Sequence, residues 1–299
     1  MIHLSTNKII ITTDFSETSY LAIKHGAFLA QYTKGEVYLL HVITKHWEKF
    51  NVFTPSITLD NIEKASDAVQ KKLEELASDV RKEYGVKVTT VVNSGNPTSE
   101  IIKFAKEIKA DLIVMGTHGY SSWEDLTIGS NALKVLTKSP CPVLTMSQPV
   151  ETLGYHKIIL PIDTSEHSRH KVVLTLELAK QFVAHVYAVG LVADDEASKK
   201  PAIEVMLNQV ATAAKDKGVA CSTEVIENVK NRAVATVKYC EKVGGDLISI
   251  MTDQDAELSG FFLGPYSLQV IHHSKVPVLS IKPENHFENA GWGDMLAGT

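Results

Sequence analysis

A chain of 299 residues, 44 % of them hydrophobic, is long enough to bury two substantial cores. Its formal charge of −5, with basic residues scattered, lacks the concentrated cationic footprint that non-specific nucleic-acid binding needs. No apolar run approaches the ~18 residues of a membrane span, no charged-then-apolar leader opens the sequence, and Cys141, Cys221 and Cys240 form no CxxC pair, so the expectation is a soluble cytoplasmic protein with reduced thiols.

The predicted elements alternate. Lys8 to Thr13 is a β-branched run too short for a helix and reads as a buried strand. Ser16 to Tyr32 has helical spacing, with Leu21, Ala22, His25, Phe28 and Leu29 on one side. Glu36 to Val42 is a second strand, and a loop from about Thr44 to Ser56 carries Trp47, Phe50 and Phe53. Leu59 to Tyr84 is a long amphipathic helix stopped by Gly85, and Val86 to Val92 alternates as a third strand. Gly95-Asn96-Pro97 opens a helix over about Thr98 to Lys109, since proline suits a first helical turn. Asp111 to Met115 is a fourth strand, Gly116 to Gly129 a loop, Ser130 to Thr137 a helix and Val143 to Met146 a fifth strand.

The same order then recurs, with strands at about 157–162, 185–191, 219–226, 246–251 and 277–281. Lys8-Ile9-Ile10-Ile11, Asp14, Ser16, Glu17 and Ser19 return 149 residues later as Lys157-Ile158-Ile159-Leu160, Asp163, Ser165, Glu166 and Ser168. Cys141-Pro142-Val143-Leu144 returns as Val276-Pro277-Val278-Leu279. Asp14 to Pro142 spans 128 positions but Asp163 to Pro277 only 114, and most of the missing length falls between the second strand and the long helix. The pattern predicts an α/β fold: two tandem, doubly wound, open parallel five-stranded sheets of strand order 3-2-1-4-5, Rossmann-like. The expected domains are 1–150 and 151–285, followed by a flexible tail, 286–299, that contains Trp292. The apolar fifth strands are natural edges, so an intramolecular pseudo-dimer is expected, with further homodimerisation open.

In such sheets ligands bind beyond the carboxyl ends of the strands where the order reverses, here after Thr13 and after Met115. Gly116-Thr117-His118-Gly119, nine further residues and Gly129-Ser130-Asn131 follow the fourth strand. Glycines let a ligand approach the backbone, and a helix amino end attracts phosphate. This is not the GxxxxGK[ST] loop, and a surface loop capped by Gly and Ser would give the same pattern. Asp14 could accept from ribose hydroxyls or an adenine amine, or could simply favour the helix amino end. Val42 could offer its backbone to an adenine edge or be core. His118 could contact a phosphate when protonated, or be an exposed loop residue. His41 reads as a satisfied core residue, and the loop aromatics as a flap over the base or as local packing. His167 and His170, three apart on a helix, could share a metal but have no third ligand in view, so no metal site is assigned.

Asp14-Phe15-Ser16-Glu17-Thr18-Ser19, Leu40-His41-Val42 and Met115-Gly116-Thr117-His118-Gly119 with Gly129-Ser130 together resemble the universal stress protein family, in a tandem arrangement that covers nearly the whole chain. The resemblance implies an adenine nucleotide alpha hydrolase-like fold that holds ATP, or ADP or AMP, through G-x2-G-x9-G-[ST], with or without Mg. It nominates Thr12, Asp14, Val42, Met115, Gly116, His118, Gly119, Gly129, Ser130 and Asn131 for binding. Thr12 departs from the proline that nucleotide-binding members often carry, whereas the second copy has Pro161.

The second copy reads Met251-Thr252-Asp253-Gln254-Asp255, expected to align with Met115-Gly116-Thr117-His118-Gly119 of the first, and Pro265 follows Gly264. Lost glycines, added carboxylates and an imino nitrogen without N–H predict no triphosphate there. Phe261, Phe262 and Leu263 suggest packing or an inter-domain contact, with an acyl or partner site as the other reading. No nucleophile, base and orienter can be assembled. The favoured reading is an ATP-binding regulatory protein of the stress response whose nucleotide state alters contacts with an unknown protein partner. The alternatives are a slow ATPase or other nucleotide enzyme, and a nucleotide-independent partner- or lipid-binding scaffold.

Overall fold

The structure, a computed structural model, describes residues 7–44, 59–117, 128–148, 150, 153–164, 168–252 and 264–282. The loop aromatics Trp47, Phe50 and Phe53, the 261–263 apolar stretch, the His167/His170 pair and the tail with Trp292 involve positions outside those residues.

The first repeat runs β1 Lys8–Thr12, α1 Glu17–Thr33, β2 Glu36–Ile43, α2 Leu59–Tyr84, β3 Lys87–Ser94, α3 Pro97–Ile108, β4 Leu112–Gly116, α4 Ser130–Lys138 and β5 Val143–Met146. The second runs β6 Lys157–Ile162, α5 Ser168–Phe182, β7 His185–Leu191, a 3-10 turn Asp194–Lys199, α6 Lys200–Lys217, β8 Ala220–Ile226, α7 Arg232–Val243, β9 Leu247–Met251, α8 Pro265–His273 and β10 Val278–Ile281. Strand order is β3-β2-β1-β4-β5 in one and β8-β7-β6-β9-β10 in the other, and β1 pairs in parallel with both β2 and β4, as β6 does with β7 and β9.

Ile9, Ile10 and Ile11 are fully buried, as are Ile158, Ile159 and Leu160, because helices cover both faces of each sheet. That explains why these strands are continuous apolar runs rather than alternating ones. Among the described residues, those up to 143 form one compact unit and those from 144 onward a second, so most of β5 belongs to the second. Within that unit Thr145 Oγ1 donates to the Val278 carbonyl at 3.3 Å, and Ser147 Oγ to the Ser274 carbonyl at 2.8 Å.

The two long helices end alike, on Gly85 and Gly218 with φ of +66° and +71°, the left-handed cap that glycine adopts without strain. They begin differently: α2 has 26 residues and α6 has 18. From β2 to α2 the chain covers 44–58, whereas from β7 to α6 it covers only the stretch that includes the 3-10 turn. The connections, 44–58 and 192–199, account for only about half of the length difference; the rest lies in the shorter α6, against the expectation that most of it would fall between strand and helix.

Candidate functional site

Sheet order reverses at β1. The register Ile9↔Leu112, Ile10↔Ile113, Ile11↔Val114 carries Thr12 to the same carboxyl edge as Met115 and Gly116. Thr12 is half-buried and Met115 buried, whereas Asp14 just beyond the strand is exposed.

A dense local network shapes the turn after β1. Thr13 N–H donates to the Leu40 carbonyl at 3.0 Å, and the Thr13 and Ser19 hydroxyls are 2.9 Å apart. Phe15 N–H donates to Thr13 Oγ1 and Ser16 N–H to Asp14 Oδ1, both at 3.0 Å. Ser16 caps α1 by accepting from Ser19 N–H, and its own hydroxyl donates to Asp14 Oδ1. The two readings of Asp14 are thus compatible: one carboxylate oxygen is anchored at the helix amino end while the side chain stays open to solvent.

The glycines are there for space. A Cβ on Gly116 would lie 2.9 Å from Thr18 Oγ1 and 3.2 Å from the Thr18 carbonyl carbon, so its absence lets the first turn of α1 close on the end of β4. A Cβ on Gly129 would lie 3.0 Å from the Thr117 carbonyl oxygen. Gly129 N–H donates to that oxygen at 2.8 Å, which closes the loop at its base. The Gly129 amide is thus taken up within the loop. Among the described residues no side chain caps α4, which leaves the amides of Ser130, Asn131 and Ala132 at this end, and its first turn carries no acid. Ser130 and Asn131 are exposed, and Thr98 Oγ1 reaches Asn131 Oδ1 only at 3.5 Å, a weak contact. Val42 is half-buried on β2, in register with Asn93 of β3. His118 and Gly119 lie outside the described residues.

The structure adds a cluster that sequence reasoning missed. His41 Nδ1 lies 2.7 Å from the Thr13 carbonyl oxygen, and its ring stacks on Phe15 with centroids 4.8 Å apart. Lys72 of α2 places its ammonium 4.3 Å from the centre of the Phe15 ring. Burial holds the His41 imidazole below its ordinary value of 6.5; the Thr13 carbonyl and Asp14 act the other way and Lys72 adds to the lowering. A carbonyl oxygen only accepts, so His41 donates through Nδ1. Only the Leu40-His41-Val42 strand end hinted at this, since nothing in the spacing of α2 points Lys72 here. Among the described residues no three His, Cys, Asp or Glu side chains gather as a metal group.

The second repeat requires a change of register. Ile158↔Leu247 and Ile159↔Ile248 match Ile9↔Leu112 and Ile10↔Ile113. The counterpart of Gly116 is therefore Met251, and that of Thr117 is Thr252; the expected alignment of Met251 with Met115 is one residue out. Gly119 then corresponds to Gln254, so both early glycines are still replaced. Gly264 keeps the backbone of Gly129, with φ/ψ of −60°/155° against −57°/141°, but Pro265 takes the first helical position, so one amide is lost. At the end of β6 the buried Lys171 ammonium donates to the Pro161 carbonyl at 2.6 Å, where the first copy has the small Ala22.

The universal stress protein family profile matches residues 5–146 and again 154–282. This chain is a tandem universal stress protein. It is 36 % identical over 145 residues to a universal stress protein of Methanocaldococcus jannaschii, which spans 48 % of this chain and 82 % of that one. It is 32 % identical over 143 residues to universal stress protein YxiE of Bacillus subtilis, 46 % of this chain and 97 % of that one. A solved universal stress protein from Archaeoglobus fulgidus superposes over 95 % of this chain and 99 % of its own with a TM-score of 0.75 at 20 % identity, a likeness of fold. In this universal stress protein no helix among the described residues is long and apolar enough to cross a membrane.

Proposed function

We propose that the first repeat binds an adenine nucleotide at the β1/β4 edge and that its nucleotide state modulates contacts with a protein partner in a cytoplasmic stress response. The observation that carries this reading is the amino end of α4, uncapped and acid-free among the described residues and led by Gly129, which meets Thr117 just past the carboxyl end of β4, the strand paired with β1. A helix end of this kind favours phosphate through its free amides and its dipole. The assigned residues are Thr12, Asp14, Val42, Met115, Gly116, His118, Gly119, Gly129, Ser130 and Asn131. Asp14 takes the ribose or base, the Val42 backbone the adenine edge, and Ser130 and Asn131 the phosphates. The glycines keep the backbone approachable. Bound ATP would bring Mg through its own phosphates. Division at 1–150 and 151–285, with 286–299 as a tail, suits this asymmetric use of the repeats.

Denaturing the purified chain and identifying released nucleotide by mass spectrometry tests the reading. The expected stoichiometry is at most one adenine nucleotide per chain. Two per chain would refute the asymmetry, and none after ATP loading would favour the nucleotide-independent scaffold. ATP turnover lost on Gly119→Val would favour the enzyme.

A further inference from the structure

The turn that presents Asp14 is held from outside itself. Phe15, next to Asp14, has φ of +65°, a conformation that a bulky L residue disfavours. Its amide is held by Thr13 Oγ1 and its ring by His41. The Thr13 carbonyl, which starts the turn, accepts from His41 Nδ1 at 2.7 Å. One side chain of β2 therefore braces both the beginning of the turn and the residue that follows Asp14. Among the described residues the exposed Asp14 carboxylate hydrogen-bonds only within the turn, to Ser16. Its position over the edge of the sheet thus depends on the fixity of the Thr13–Phe15 backbone.

We propose that His41 is a positioning residue for ligand capture: its hydrogen bond to Thr13 and its stacking on Phe15 hold the Asp14 turn in the orientation that meets the ribose or base of an adenine nucleotide. The inference rests on the nucleotide reading above. His41 does not itself touch the ligand. The β1 turn is a loop, and a loop binds well only when its ordering cost has been met before the ligand arrives. His41 meets that cost from a rigid strand, with Lys72 covering Phe15 from α2.

The test titrates the full chain with ATP by calorimetry and follows amide hydrogen exchange at Phe15 and Ser16. His41→Ala should weaken ATP by about fivefold or more, the scale of one lost hydrogen bond, and speed exchange at both amides. His41→Asn, which keeps a donor near the Nδ1 position, should recover most of the affinity. In an Asp14→Ala background His41→Ala should cost little further, because the two residues act as one unit.

Wild-type affinity and unchanged exchange in His41→Ala overturn the inference while leaving nucleotide binding intact. So do purely additive losses with Asp14→Ala, or no recovery in the Asn variant. Should His41→Ala fail to fold, His41→Phe decides, since it keeps a ring against Phe15 but offers no donor to the Thr13 carbonyl: it should weaken ATP and speed exchange at both amides, and wild-type values for both overturn the inference. If the wild-type chain takes no ATP, the nucleotide reading falls first and this inference with it.

Discussion

Gly116 shows how one absent methyl group sets the geometry of the site. With a Cβ 2.9 Å from Thr18 Oγ1, Gly116→Ala forces α1 away from β4 and should cost about 1–3 kcal/mol in chemical denaturation, the range for overpacking. Thr18→Ala should return part of that loss, but not all, since the Thr18 backbone also stands 3.2 Å away. His41 gives a pH signature. Its folded pKa lies below the ordinary 6.5, so below that pH the unfolded chain takes up the proton more readily. Stability is full above pH 6.5 and falls as pH drops through the folded value. In urea melts across that range, His41→Asn should flatten the slope by this contribution. The thiols give a third check. Burial pushes Cys141 and Cys240 up to about 12 and Cys221 up to about 11. The native chain should react slowly with a thiol reagent at pH 8, and the denatured chain should release all three thiols at once.

At the scale of elements, the amino end of α4 carries most of the proposed function, and it can be separated from stability. Ser130→Asp puts an acid at the positive end of the helix. It should leave stability unchanged or raise it by about 0.5 kcal/mol, yet weaken ATP at least tenfold by repelling phosphate. Parallel losses of melting temperature and affinity would refute that separation. Element types were legible because the inner strands are apolar runs, β3 alternates and each long helix carries a 3.6-residue stripe. Boundaries moved by a residue or two, as at β3, expected at 86–92 and found at Lys87–Ser94, where hydrogen bonds to β2 extend beyond the apolar pattern. The end of β4 was also legible, but its counterpart in the second repeat was not. Met115 and Met251 look alike in a string of letters, yet parallel pairing sets β9 against β6 one residue away from that match.

For the whole molecule, the two repeats act as controls for one another. They share strand order, the Asn96 and Asn231 helix caps and the Ser139 and Ser274 turns, in which each hydroxyl donates to a carbonyl two residues on at 2.6 Å. They differ at the carboxyl edge, where Gly116, Ala22 and Ser130 face Met251, Lys171 and Pro265. That contrast is the basis for expecting no more than one nucleotide per chain. The duplication, the alternation of strands and helices, the sheet order and the glycine spacing of the first copy could all be read from the letters, because each is a periodic or local pattern. The fold alone decided that Gly116 serves Thr18, that the Gly129 amide is spent on Thr117, that His41 braces the turn after β1 and that Lys171 is buried against Pro161. Each of these joins residues on different elements, and such contacts exist only once the sheet has closed and brought those elements within a few ångströms.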